Sequence, residues 1–322
     1  MITPEAILPT PLAEPAASTA FLRLLDRTAA GLASGAEVGS HLYALEAGCA
    51  MARAKLDAAG WAACYRATQA HPVMEFLRQD PFVLRCNQRP RGYAGDAVII
   101  DMLYHHADVA PQIVAATPMG RQIHTLLTNA PIAQAVADRR LQLVALIEDV
   151  AQRVSQPDIL AVAAGHLREA ELTSTLAKDR IGRFVALDQD AESLAVVGAR
   201  HGDRVELVPQ PIAALLKGAM ADQRFHLIYA AGLYDYLDLR VASALTRRLA
   251  VMLHPGGRLV FANFADTVWE AGFLEAVPDW HLILRDRTAM QAITAPLGDG
   301  FATRHWSGSN GDMHYAEITR IA

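Results

Sequence analysis

Beyond residue 158 the chain alternates between short apolar runs of strand length and amphipathic helical stretches. This alternation restricts the fold more than any other feature. "ILAVAA" (159–164), "RFVALD" (183–188), "RVELV" (204–208), "FHLIYA" (225–230) and "GGRLVFANF" (256–264) each read as a strand, with a helical stretch between consecutive runs. Strands joined through helices run parallel, and strands that are apolar throughout need cover on both faces. The result is a doubly wound α/β sheet. "FATRHWSGSNGDMHYAEITRI" (301–321) reads as two strands about a Gly/Ser/Asn turn, an antiparallel addition at the sheet edge.

The first half has a different rhythm. From Ala20 to about Val154, apolar residues recur at three- and four-residue spacing, the period of packed helices. Pro72, Pro111 and Pro131 fit helix starts or the breaks between helices. The expected organisation is a Pro- and Ala-rich arm over 1–18, a helical cap or lid over 19–154, and a nucleotide-binding type of sheet domain over 155–322.

Charge and cysteine usage exclude several functions. Lys55, Lys178 and Lys217 are the only lysines, the net charge is -5, and no basic stripe interleaved with aromatics occurs, so a nucleic-acid partner is not expected. Cys49, Cys64 and Cys86 lack metal-ligand spacing, no other metal cluster is readable, and reduced thiols of a cytoplasmic protein are the plain reading. The N-terminus carries no signal-peptide pattern, and no apolar run of about 18 residues would span a membrane. A homodimer through the helical half is open.

Ligands of such sheets sit beyond the C-terminal strand ends, so the corners there carry the function. Gly165 follows the first strand and lets backbone approach a ligand; a plain tight turn would use the same glycine. The second strand ends "VALDQD". Asp188 stands 23 positions after Gly165, where a carboxylate grips ribose hydroxyls, with Gln189 beside it and Asp190 as the N-cap of the next helix. Gln210, after the third strand, is placed to meet an adenine edge or to be a polar loop residue. In "LIYAAGLYDYLD" the small residues Ala230 to Gly232 keep a pocket floor open. Tyr229, Tyr234 and Tyr236 there suit a sulfonium or other cation, or else pack the core. "LHPGGRLVFANF" reads as a helix stopped by Pro255-Gly256-Gly257, then a strand ending at Asn263.

In this order of loops the chain resembles the class I S-adenosylmethionine-dependent methyltransferases, from about Asp158 to Ala322, with "L-x-P-G-G-x-L" the most specific piece. The resemblance implies a Rossmann-like seven-stranded sheet with the last strand antiparallel, and S-adenosylmethionine as cosubstrate. "AAGHLRE" departs from the glycine-rich first loop usual in that family. "RPRGYAGDAVIIDMLY" (89–104) is similar to a stretch in bacterial methyltransferase-like proteins with an N-terminal helical cap, one branch of which esterifies 3-hydroxy fatty acids. These relatives share a first loop with one glycine followed by Arg-Glu. The resemblance implies that Arg91, Tyr93 and Asp96 cover the cofactor; a helix start capped by Asp96, with Gly92 and Gly95 in the turn, explains the stretch equally well.

Methyl transfer to a carboxylate needs no base, whereas an amine or alcohol acceptor needs one. His105, His106, His166 and His281 are candidates by position alone. A related branch of these enzymes suggests a second outcome, intramolecular attack within S-adenosylmethionine giving azetidine-2-carboxylate and methylthioadenosine. An alanine-lined floor (Ala163, Ala164, Ala230, Ala231) and clustered tyrosines are compatible with it. A non-catalytic nucleoside-binding protein is the third reading. Tyr93, Tyr229, Tyr234 and Asn263 are the candidate catalytic groups. Arg91, Ala163, Gly165, Asp188, Gln189, Gln210, Ala230, Gly232 and Tyr236 are the candidate cofactor contacts. Trp269, Phe273, Trp280 and Trp306 either line an acceptor pocket or pack the sheet edge, with packing the plainer expectation.

Overall fold

A computed structural model describes residues 17–321 except residue 36. The expected arm therefore lies outside the described residues, apart from its last two, of which Ser18 caps the first helix by accepting from the Phe21 N–H at 3.2 Å. Helices fill the stretch from Thr19 to Arg153. The three prolines sit at their starts: Pro72 as N-cap, Pro111 and Pro131 within the first turn.

The second half forms one seven-stranded sheet: β1 (Asp158–Val162), β2 (Arg183–Asp188), β3 (Glu206–Pro209), β4 (Phe225–Ala230), β5 (Leu253–Phe264), β6 (Phe301–Ser307) and β7 (Met313–Arg320). The order is β3-β2-β1-β4-β5-β7-β6. β1 to β5 pair in parallel, while β7 lies antiparallel to both β5 and β6. This is the Rossmann-like arrangement of the class I methyltransferase fold. The strand order reverses at β1/β4, which fixes where a ligand crevice opens.

Two-residue periodicity sorts the strand side chains onto two faces. Leu160, Val162, Val185, Leu187, Ile228 and Phe261 pack under the helices Leu239–Ala250 and Arg287–Thr294. Ile159, Ala161, Phe184, Ala186, Leu227 and Tyr229 pack under Ala191–His201 and the second half of Pro131–Arg153. That long helix serves two cores. Ile132, Ala133 and Val136 belong to the core of the helical half, whereas Leu143, Ile147 and Val150 cover the sheet.

The helical half is therefore not a detached lid. Its core also takes in Phe264, Phe273, Trp280 and Tyr315 from the sheet half. Helix Ala271–Ala276 approaches Val38–Lys55 so closely that a Cβ on Gly272 would stand 2.6 Å from the Cys49 carbonyl oxygen.

Two local expectations are corrected. The helix before β5 ends at Ala250, and Pro255-Gly256-Gly257 lies inside β5 at a register shift against β4. Gly256 has φ +75°, and a Cβ on Gly257 would meet the His254 and Phe225 carbonyls at 2.9 Å, so the glycines shape a kinked strand and do not stop a helix. The helix expected after β1 is two single turns, Arg168–Glu171 and Ser174–Ala177. Thr173, Ser174 and Thr175, at the break and in the start of the second turn, are poor helix formers, and the Ser174 and Thr175 N–H groups donate to Glu148.

Candidate functional site

The C-terminal strand ends and the stretch 91–104 together enclose a cavity of about 600 Å³. Small-molecule sites run from about 300 to 1,000 Å³. At one end stands Asp188, buried at the tip of β2. Its Oδ2 accepts from the Gly165 N–H at 2.8 Å and its Oδ1 from the Asp190 N–H at 2.8 Å. The acid thereby ties the loop after β1 to the loop after β2. Each oxygen keeps a second lone pair able to accept a further hydrogen bond. Ala163 (φ +53°), Gly165 (+55°) and Leu167 (+53°) all take left-handed backbone, so this one-glycine loop turns sharply with two non-glycine residues strained. Gln189 and Gln210 line the same end.

The stretch 89–104 supports both of its readings, in different residues. Arg91 and Tyr93 line the cavity. Asp96 instead caps helix Ala97–Leu103 through the Val98 and Ile99 N–H groups and takes the Arg85 guanidinium at 2.6 Å. Arg91 bridges the cavity mouth to Asp190 at 2.8 Å and to the Ser193 hydroxyl at 2.7 Å. Asp190 also caps the helix after β2, as the sequence indicates. Burial, with Asp188, Asp190 and Asp96 nearby, pushes the Tyr93 phenol up to about 12, so it stays protonated and offers a donor and a ring face.

Beyond β4 the site differs from expectation. Tyr229, Gly232 and Tyr236 line the cavity; Tyr234, Asn263 and Ala230 do not. Tyr234 stacks on Phe261 with centroids 3.9 Å apart and hydrogen-bonds Thr246 inside the core. Asn263 donates to the Phe264 and Ile283 carbonyls and accepts from Arg285. These two belong to the scaffold: Asn263 because alternation along β5 turns every second side chain away from the crevice, and Tyr234 because the 3-10 turn Tyr234–Tyr236 points it into the core between Phe261 and Thr246. Trp280, by contrast, is a cavity wall as well as a core residue, and its indole N–H donates to the Tyr236 hydroxyl at 2.7 Å. Trp269, Phe273 and Trp306 are packing residues, against Tyr43, the helical-half core and Tyr315 respectively.

Five charged residues not singled out in the sequence also line the cavity: Asp101, Arg139, Arg168, Glu169 and Asp235. Glu169 accepts from the Tyr229 hydroxyl at 2.6 Å, and burial raises its carboxyl despite that bond. Tyr229 is itself raised well above its ordinary range by burial and by Glu169, so it is a donor and not a base. Burial lifts the Asp235 carboxyl to about 6, although its Oδ1 accepts from the Phe264 N–H at 2.7 Å. Asp101 receives His166 at 2.7 Å and Arg168 at 2.6 and 2.8 Å. Burial alone would raise Asp101, but Arg168 and His166 hold it below the usual carboxylate range.

Of the four histidines, only His166 lines the cavity. His106 pairs with Glu171 and His281 with Asp279. Asp158, His226 and His254 offer donor atoms within 4.8 Å of one another at the opposite end of the sheet. There His226 Nδ1 accepts from the Asp158 N–H, which puts the neutral ring's proton on Nε2, the nitrogen a metal would need bare.

No family model matches the chain, and no curated protein matches it in sequence. Among solved structures, a possible exported protein from Bordetella parapertussis aligns over 98% of this chain and 100% of its own, with 16% identity and a TM-score of 0.57. The N-methyltransferase NodS from Bradyrhizobium japonicum, in complex with S-adenosyl-L-homocysteine, aligns over 68% of this chain and 99% of its own, with 18% identity and a TM-score of 0.43. Magnesium protoporphyrin IX methyltransferase from Synechocystis, with the same ligand bound, aligns over 70% and 100%, with 14% identity and a TM-score of 0.43. The likeness to the Bordetella protein is one of fold, and it extends across helical half and sheet together. No helix of the described residues is long and apolar enough to cross a membrane.

Proposed function

We propose that the chain binds S-adenosylmethionine in this cavity and transfers its methyl group to a small-molecule acceptor. The observation that carries this reading is Asp188: a buried acid at the tip of β2, beside the strand-order reversal, clamped to the first loop yet open to a sugar's hydroxyls. Gln189 and Gln210 supply amides for the base. The residues present fit the ligand, since an acid meets the ribose, small residues (Ala163, Gly165, Gly232) leave room for its tail, and aromatic faces surround the middle.

When bound, S-adenosylmethionine supplies an electrophilic methyl on a sulfonium. The chain's own contribution is alignment and exclusion of water. Tyr93, Tyr236 and Trp280 present ring faces to a cation. Arg91, clipped to Asp190, fastens the 89–96 stretch across the mouth. A carboxylate acceptor arrives ionised and needs no base. For an amine or hydroxyl, Asp235 and Glu169 are the cavity acids able to take a proton, and burial has already raised both.

The same two acids favour a second reading, intramolecular attack by the cosubstrate's amine on its γ-carbon. A C–N bond then forms as the C–S bond breaks, the ammonium proton passes to an acid, and azetidine-2-carboxylate and methylthioadenosine leave. Incubation with S-adenosylmethionine alone, followed by mass spectrometry, separates the readings. Accumulating methylthioadenosine supports cyclisation. Intact cosubstrate, turned to S-adenosylhomocysteine only when an acceptor is added, supports methyl transfer. Absence of any S-adenosylmethionine binding by titration calorimetry refutes both.

A further inference from the structure

Arg139 is the most unusual charge in the cavity. It lies on the buried stripe of helix Pro131–Arg153 at the point where the helix passes from one core to the other, and it is 3% exposed. Its Nη1 donates to the Ala231 carbonyl just beyond β4. Its Nε is buried and has no partner. Among the described residues no carboxylate oxygen comes within 4.0 Å of the guanidinium. Asp235 and Glu169 feel its charge but do not touch it. Each is occupied elsewhere, Asp235 by the Phe264 N–H and Glu169 by the Tyr229 hydroxyl. A guanidinium removed from water without an acid partner is costly unless a ligand completes it. A helix tether to one carbonyl needs no cation, so tethering does not explain the charge.

We propose that Arg139 binds the carboxylate of a ligand in this cavity, which rests on the reading that the cavity takes S-adenosylmethionine. Nη1 is committed to Ala231 and the Tyr104 phenol lies against the guanidinium, but no carboxylate meets the Nε–Nη2 edge, the fork that grips a carboxylate with two parallel hydrogen bonds. Nη2 stands 3.8 Å from where a Cβ of Gly232 would be, on the cavity side of the β4 loop. Ala231 follows β4 and Asp188 ends β2, two strand spacings or about 10 Å across the sheet. An anion held at Arg139 is therefore an amino-acid tail's distance from the ribose-binding acid. The carboxylate has two sources, the methionine tail of the cosubstrate or an acceptor acid seated beyond it.

The test compares S-adenosylhomocysteine with its decarboxylated analogue by titration calorimetry, in the wild type and in Arg139→Gln and Arg139→Lys. If Arg139 holds the tail, the wild type prefers the carboxylated ligand by about 10- to 100-fold. The preference falls to within about 3-fold in Arg139→Gln and is partly restored in Arg139→Lys. If Arg139 holds an acceptor, both nucleosides bind all three proteins alike, and octanoate binding to the nucleoside-loaded protein is lost in Arg139→Gln. Octanoate titrated without nucleoside keeps this arm decisive if no nucleoside binds even to the wild type, an outcome that refutes the proposed cosubstrate and not Arg139. Equal affinities for every probe in wild type and folded Arg139→Gln would overturn the assignment. Should Arg139→Gln fail to fold, the wild type's own ratio decides together with Arg139→Lys: no carboxylate preference in either protein, and no octanoate binding, overturns it as well.

Discussion

Replacing Asp188 by alanine tests the ribose assignment directly. In the folded protein its two oxygens already accept from the Gly165 and Asp190 N–H groups at 2.8 Å each. A ribose would add two hydroxyl donors to the remaining lone pairs. A hydrogen bond to a charged group contributes about 1.5–3 kcal/mol, and two on one carboxylate sum to less than twice that. The expected loss is about 2–3 kcal/mol, roughly 30- to 150-fold in affinity. Part of the loss comes from the first loop, whose left-handed Ala163 and Gly165 lose the acid that holds them. Alanine is a cleaner probe than asparagine, which would set an NH₂ against one of the two backbone N–H groups. The assay is titration calorimetry with S-adenosylhomocysteine and with methylthioadenosine, alongside thermal unfolding. Both ligands carry the ribose, so both must weaken by a similar factor, in contrast to the tail-dependent pattern expected at Arg139. A folded Asp188→Ala that binds either ligand within 3-fold of the wild type would refute the assignment.

Three further outcomes concern stability. Asp101→Ala removes the buried one of three carboxylates that pair with the Arg168 guanidinium, Glu171 and Asp108 remaining, and should destabilise by about 1–3 kcal/mol in urea unfolding at pH 7. Because Asp101 is held below its unfolded value, its contribution is present above about pH 4 and is lost as pH falls through the folded value. The gap between variant and wild type should therefore narrow in acid. Asp235 has the opposite sign: its folded value near 6 lies above the unfolded one, so its contribution is complete below about pH 4 and fades as pH rises through 6. The wild type should lose about 3 kcal/mol relative to Asp235→Asn between pH 4 and 7, measured as the difference of the two pH–stability curves; parallel curves would contradict the burial argument. Gly272→Ala drives a methyl to 2.6 Å from the Cys49 carbonyl oxygen, so about 1–3 kcal/mol should be lost in urea, with the midpoint shifted and the slope kept.

Much of the fold was legible because strand and helix periods are local. "RFVALD" and "FHLIYA" coincide with β2 and β4, and the closing hairpin pairs about its Gly/Ser/Asn turn. The corners of the sheet that line the cavity were legible for the same reason. Asp188, Gln210 and Gly165 stand at strand ends, and a strand end can be counted along the chain. Tyr234 and Asn263 stand outside the cavity lining, because proximity to a strand end does not say which way a strand or the turn after it directs a side chain. One residue of register separates the cavity from the core.

The remaining residues needed three dimensions. Arg139 carried a signal that periodicity contains, a charge on the stripe Ile132, Val136, Leu143, Ile147, Val150, but its vacancy for an anion depends on where Asp235 and Glu169 spend their oxygens. Asp101, His166 and Arg168 lie more than 60 positions apart in part, and only packing brings helix Ala97–Leu103 against the first loop. The sequence by itself determined the order of elements and the acid at the tip of β2, since both follow from spacing along one strand or helix. Tertiary structure alone decided which charges are paired, which stand without a carboxylate partner among the described residues, and that the helical half shares a core with the sheet. Those outcomes depend on contacts between residues far apart in the chain, and no local period encodes them.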